Sequence, residues 1–263
     1  MFFITLLQRS LLLSLLFMIG GNVFAADQHT PSQKLEFEEI IHAYLMSKPE
    51  VIREALDELS KREKAASVAA QEKVIAEKVG IIFNSPNQAV VGNSEGDVTL
   101  VEFFDYNCGF CKKSVDTITK LIDSDPMLRV VLKDLPVLGP DSIDAARVST
   151  AVRKQLTPQK FWKFHNALLS EKIHIGKTDA LKVAKTLGAD MALLKKDMES
   201  TATTDTLNEV LSLSKDLNLH GTPAWVIGGV TMGGVTVDGA RPVEDFKVKI
   251  NAMRKCRKVV CPS

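Results

Sequence analysis

Two cysteines with two residues between them, Cys108-Gly109-Phe110-Cys111, follow the apolar run Val98–Phe104 and open a helical pattern over residues 109–124. That spacing lets both thiols sit in one helical turn, the first exposed at its N-terminal end and the second turned inward. Free backbone N–H groups and the helix dipole favour a thiolate at the first position. A lower thiol pKa stabilises the reduced pair and makes its disulfide more oxidising, at about 1.4 kcal/mol per pH unit. Lys112 and Lys113 add positive charge nearby. The chemistry this pattern suits is thiol–disulfide exchange. A c-type haem site would need histidine where Lys112 stands. A zinc site would have to recruit the distant pair Cys256 and Cys261, which nothing in the sequence places beside the first. A purely structural disulfide between Cys108 and Cys111 would close almost no loop and stabilise little.

The elements that must position this pair can be read around it. Ala89–Val91 and Val98–Phe104 read as strands, and VTLVEFF is apolar except at Thr99 and Glu102, as in a strand buried on both faces. A helix over 109–124 and a strand over Leu128–Leu132 complete a βαβ unit and hence a parallel pair. Pro136–Pro140 reads as a loop. From Asp141 to about Leu219 the apolar spacing is helical throughout, and His165 is expected to pack within this block. Strands resume at Ala224–Ile227 and Val230–Met232, joined through Gly228-Gly229 as a hairpin, and a helix over about 243–253 closes the pattern. The expected class is α/β with a helical insertion over about 141–219.

Upstream, Leu35, Phe37, Ile40, Ile41, Tyr44 and Leu45 follow a helical rhythm, and Pro49 can open a second helix running to about Val79. Asn84-Ser85-Pro86-Asn87 is a turn cluster and the expected boundary between a helical extension, residues 26–84, and the main domain, residues 85–263. The apolar stripe of the extension needs a surface to cover it, either the main domain or a second copy of the chain, and self-association is the reading taken. Residues 1–25 place Arg9 before the apolar run Leu11–Ile19 and end on Val23-Phe24-Ala25, the pattern of a cleavable signal peptide. No cysteine follows that run, which argues against a lipid anchor and leaves open a loose association with the outer membrane. Of 263 residues, 33 are Lys or Arg and 32 Asp or Glu; loss of Arg9 leaves a neutral chain, which argues against an electrostatically driven nucleic-acid binder. A chain this long can bury a full core without disulfides, so each of the four cysteines calls for its own explanation.

Val101-Glu102-Phe103-Phe104-Asp105-Tyr106-Asn107-Cys108-Gly109-Phe110-Cys111 resembles the strand and active site of the DsbA-type branch of the thioredoxin superfamily, the periplasmic thiol:disulfide oxidoreductases. Leu138-Gly139-Pro140-Asp141-Ser142 and Phe161-Trp162-Lys163-Phe164-His165 resemble segments of that family's helical insert. Gly221-Thr222-Pro223-Ala224-Trp225-Val226-Ile227-Gly228 resembles its cis-proline loop and the strand beyond. The likeness covers about residues 86–253 and implies a thioredoxin-like fold preceded by the helical extension. It implies Cys108 and Cys111 as the redox pair, Glu102 as a buried acid assisting proton transfer, and Thr222 and Pro223 as the place where a bound polypeptide meets the backbone. Threonine at 222 resembles the DsbC-like isomerases, whereas DsbA-like oxidases typically carry valine.

The resemblance therefore implies formation or isomerisation of disulfides in unfolded or misoxidised secreted proteins in the periplasm. It also implies a membrane redox partner of DsbB or DsbD type and no metal or organic cofactor. The helical extension implies a homodimer, by likeness to DsbC-type isomerases. The competing reading is a non-enzymatic envelope chaperone or structural protein on the same scaffold, in which Cys108 would be dispensable. In an oxidising compartment Cys256 and Cys261 most simply form a local structural disulfide; a second redox pair or two free thiols are the other readings.

Overall fold

The computed structural model describes residues 30–258 and 261, so the expected signal peptide lies outside the described residues. The chain divides into two compact units, Met1–Lys61 and Arg62–Ser263. In the first, α1 (Pro31–Ser47) starts at a capping box: Thr30 accepts from the Gln33 N–H, and the Gln33 side chain accepts from the Thr30 N–H. Helix α2 (Glu50–Glu77) begins there and runs on into the second unit. Leu35, Ile40, Ile41, Ile52, Leu56 and Leu59 are exposed. No helix among the described residues is long and apolar enough to cross a membrane.

The division at Lys61/Arg62 corrects the boundary expected at residues 84/85. The turn cluster is present, but the helices before it are built into the second unit. Ile75 of α2, with Ile82 and Phe83 of α3 (Val79–Asn84), is fully buried against the sheet. The Gln71 amide donates to Leu217 O at 2.8 Å and accepts from the Thr236 hydroxyl. Three cations grip the carbonyls of the segment that follows. Lys133 Nζ donates to Ile81 O (2.9 Å) and Gln88 Oε1 (3.0 Å), Arg129 to Phe83 O (2.7 Å), and Arg153 to Pro86 O (3.1 Å) and Gln88 O (3.2 Å). Burial lowers the Lys133 pKa to about 8.

The second unit is built on a five-stranded sheet, ordered β1-β3-β2-β4-β5. Its strands are β1 (Ala89–Gly92), β2 (Val98–Phe104), β3 (Leu128–Asp134), β4 (Ala224–Gly229) and β5 (Gly233–Asp238). Only β2 and β3 pair in parallel, as the βαβ unit with α4 (Gly109–Ser124) requires. Every residue of β2 is buried because both faces of the sheet are covered. Leu100 and Phe104 point to one core with α4 and α10 (Val243–Cys256); Val101 and Phe103 point to the other. The insertion consists of α5 (Pro140–Val152), α6 (Pro158–Ser170), α7 (Lys177–Thr186), α8 (Met191–Met198) and α9 (Thr201–Asp216). Helices α5 to α8 extend the first core, whereas α9 packs Val210 and Leu213 into the second.

The C-terminal hairpin forms, but its turn lies at 230–232, where the second strand was expected. Gly228-Gly229 belongs to β4. Gly228 pairs with Gly234, and a Cβ on it would lie 2.0 Å from Gly233 O. Gly228 serves close strand approach, not the turn.

Candidate active site

The loop 105–108 leaves the end of β2 at the centre of the sheet and delivers Cys108 as the N-cap of α4. Cys108 N–H donates to Asp105 O at 3.0 Å, closing the turn. Cys108 is 7% exposed and Cys111 fully buried, and the two stand as free thiols. The Cys108 thiol donates to Thr222 O at 3.1 Å. The Thr222–Pro223 bond is cis.

Environment separates the two thiols. Donation from the Cys111 thiol, against the cost of burial, lowers the Cys108 pKa to about 5; the Thr222 side chain and the N–H groups of Cys111 and Phe110 help. Burial pushes the Cys111 thiol far up, with further increments from Cys108 and from the Glu102 charge. Glu102 lies within the sheet between Leu132 and Trp225, fully buried, and neither carboxyl oxygen has a hydrogen-bond partner among the described residues. Burial, then the Cys108 charge, raises its pKa well above the usual carboxylate range. Cys108 meets both Cys111 and Thr222 in space, while Glu102 reaches the two thiols through the field between the groups.

Asp105 and Asn107 are structural keys that the sequence reading passed over. Asp105 Oδ1 accepts from Asn107 N–H (2.8 Å) and the Ser142 hydroxyl (2.7 Å), and Oδ2 from the N–H groups of Val137 (2.8 Å) and Leu138 (3.0 Å). The Asn107 amide donates to Ile175 O (2.9 Å) and the Ser142 hydroxyl (3.0 Å), and its oxygen accepts from Ile175 N–H (2.6 Å). Three loops thus meet at the turn that carries Cys108. The available signal was a pair of short polar side chains, Asp105-x-Asn107, at the end of an otherwise apolar strand. Lys112 spends its Nζ on Glu171 O (2.7 Å) and Ile173 O (2.8 Å), so its role is to hold a loop as well as to supply charge.

Beneath the turn, the Tyr106 hydroxyl bonds Ser149 at 3.0 Å, and the Phe104 and Tyr106 rings pack edge-on against His165. His165 is fully buried in the helical block, with its pKa lowered by burial to about 3. Cys256 and Cys261 are joined to each other by a disulfide, at the end of α10. The four-cysteine zinc arrangement is therefore not formed, and no cluster of three or more metal-ligating side chains occurs among the described residues.

Residues 99–251 match the DSBA-like thioredoxin domain. The chain belongs to this family. Residues 33–66 match the N-terminal domain described for the copper resistance protein ScsC. A thioredoxin-like oxidoreductase from Silicibacter pomeroyi DSS-3 is 35% identical, with a TM-score of 0.61 over 67% of this chain and 98% of that one. The thiol-disulfide exchange protein alpha-DsbA2 of Wolbachia pipientis is 27% identical, with a TM-score of 0.63 over 72% and 98%. A linker-deletion variant of Proteus mirabilis ScsC is 25% identical, with a TM-score of 0.63 over 88% and 99%. The curated relatives it matches include Na(+)/H(+) antiporters NhaA, of whose length the chain spans about a fifth: 24% identity over 142 residues and 21% of the protein for NhaA 3 of Salinispora tropica. The DSBA-like domain and these likenesses give the chain a DsbA-like thioredoxin fold preceded by a helical N-terminal region.

Proposed function

We propose that this protein is a thiol–disulfide oxidoreductase that forms or isomerises disulfide bonds in secreted proteins of the periplasm, with Cys108 as the exchanging sulfur and Cys111 as its resolving partner. The observation that carries the reading is the asymmetry of the pair: a Cys108 thiol whose pKa is lowered to about 5 beside a buried Cys111 thiol whose pKa is raised. In the oxidising direction, a substrate thiolate attacks Cys108 Sγ of the Cys108–Cys111 disulfide. The enzyme S–S bond breaks and Cys111 leaves as a thiolate. A buried thiolate of high pKa is a poor leaving group unless it is protonated, and Glu102 is a buried acid whose charge the Cys111 thiol senses. A second substrate thiolate then attacks the substrate sulfur of the mixed disulfide and releases Cys108 as a thiolate. Two electrons pass from the substrate thiols to the enzyme pair. In the isomerising direction, reduced Cys108 attacks a substrate disulfide, and Cys111 can displace a stalled product.

Thr222 and Pro223 would receive the substrate backbone beside Cys108. A membrane partner of DsbB type would reoxidise the pair, and one of DsbD type would keep it reduced. The exposed apolar side chains of α1 and the start of α2 support assembly into a homodimer. The Cys256–Cys261 disulfide would secure the end of α10.

The experiment is a Cys111→Ala trap expressed in cells. Secreted proteins bound covalently through Cys108 are the expected result. Absence of such adducts, with unchanged function in Cys108→Ala, would favour the non-enzymatic reading. Alkylation of the wild-type pair in cells decides the direction, because an oxidase accumulates oxidised and an isomerase reduced.

A further inference from the structure

A cavity of about 370 Å³ lies between α6 and α7, within the helical insertion. Ala167, Leu168, Val183 and Leu187 supply apolar walls, and Ile173 belongs to the loop at its edge. Lysines and carboxylates stand together around it, so its lining selects no single sign of charge. Recognition there must come from the apolar surface.

The loop at its edge is also part of the redox site. Residues 171–176 join α6 to α7, and their backbone is held by Lys112 of the active-site helix, through Glu171 O and Ile173 O. Asn107, in the turn that carries Cys108, holds Ile175 from both sides of its peptide backbone. Phe110, between the two cysteines, is 61% exposed and Ile173 57%. One loop thus edges the cavity and is hydrogen-bonded to both the turn and the helix that carry Cys108.

We infer that this cavity is a subsite for an apolar side chain of the polypeptide whose cysteine is joined to Cys108. The inference rests on the reading that Cys108 forms mixed disulfides with polypeptides. An extended segment advances about 3.3 Å per residue, so one leucine or phenylalanine a few positions from the reacting cysteine is the group that would enter. Such a subsite selects unfolded chains, because a folded protein does not present an apolar side chain and a cysteine together on an extended strand.

The test uses the full chain as the Cys111→Ala variant, prepared with Cys108 as its glutathione mixed disulfide. A peptide thiolate attacks Cys108 Sγ, the bond to glutathione breaks, and glutathione leaves as its thiolate, with no net oxidation. The exchange constant is read by intact-mass spectrometry for serine-rich peptides holding one cysteine and one leucine at varied separation on either side. A favoured separation should raise the constant about tenfold or more over the leucine-free peptide, since 1.4 kcal/mol is within what burial of one leucine side chain supplies. Ala167→Glu, which puts a carboxylate in the wall, and Thr186→Trp, which fills the space from the surface, should each abolish that gain. Both should leave the leucine-free constant unchanged. A gain that survives in both variants, or no gain at any separation, overturns the subsite while leaving Cys108 exchange intact. If no peptide exchanges at all, the Cys108 reading fails and the subsite falls with it.

Discussion

Thr222→Val tests the physical account of the redox site most directly. Valine keeps the shape of threonine and removes one O–H donor. In the wild type the Cys108 pKa is about 5 because several donors outweigh burial, the Cys111 thiol first and the Thr222 side chain among the others. A hydrogen bond to a charged group contributes about 1.5–3 kcal/mol, or roughly 1–2 pH units. Cys108 in the variant should therefore titrate at about 6–7. At pH 7 ionisation favours the reduced form by about 100-fold for a pKa of 5, and by about 10-fold to 2-fold for a pKa of 6 to 7. A tenfold change is about 30 mV for a two-electron couple, so the potential should fall by roughly 30–50 mV, making the variant a weaker oxidant. Thiolate absorbance at 240 nm against pH gives the first quantity, and equilibration with glutathione gives the second. An unchanged titration midpoint, or one moved to lower pH, would refute the assignment of the Thr222 hydroxyl as a donor to the sulfur. The Thr222 carbonyl, which the thiol meets at 3.1 Å, is present in both proteins and cancels in the comparison.

Three further outcomes follow from other parts of the molecule. Glu102→Gln should slow release of Cys111 and flatten the pH dependence of exchange, measured by stopped-flow fluorescence; it should also stabilise the fold at pH 7. The sign of the stability effect follows from the raised pKa of Glu102: the unfolded carboxyl ionises near its ordinary value while the folded one resists, so the wild type loses stability as pH rises through that interval. Lys133 has its folded pKa lowered to about 8 from 10.5, so wild-type stability should rise between those pH values by about 3 kcal/mol relative to Lys133→Met, as read by urea unfolding. A chain beginning at Arg62 should fold, whereas one beginning at Ser85 should not. The shorter chain loses the fully buried Ile75, Ile82 and Phe83, worth about 1.5–3 kcal/mol each, which together approach the whole stability of a domain. Circular dichroism and thermal unfolding of the two chains decide this, and a cooperative transition in the shorter one would count against it.

Much of the site was legible in the residues themselves. Cys-Gly-Phe-Cys after a doubly buried strand specifies a thiol pair at a helix start, because strand, turn and helix are all local patterns. The helical insertion and the parallel β2–β3 pair were legible for the same reason. Two boundaries were misread where long-range packing overrides a local signal. Ser85-Pro86 is a good turn, yet the domain begins some twenty residues earlier, because Ile75 and Phe83 are buried by strands that follow in the chain. Gly228-Gly229 looks like a turn, yet it lies within β4, where β5 approaches too closely for a side chain at Gly228.

The sequence by itself determined that Cys108 and Cys111 form a candidate redox pair, since identity and spacing are written in one dimension, and the family resemblance implied Glu102 and the Thr222-Pro223 loop as companions. Only the tertiary structure decided what those groups are chemically. The sheet buries Glu102 without a hydrogen-bond partner, and a chain segment more than a hundred residues away brings Thr222 against Cys108. The opposed pKa shifts of the two thiols arise from burial and from neighbours distant in sequence, so they exist only once the chain has folded.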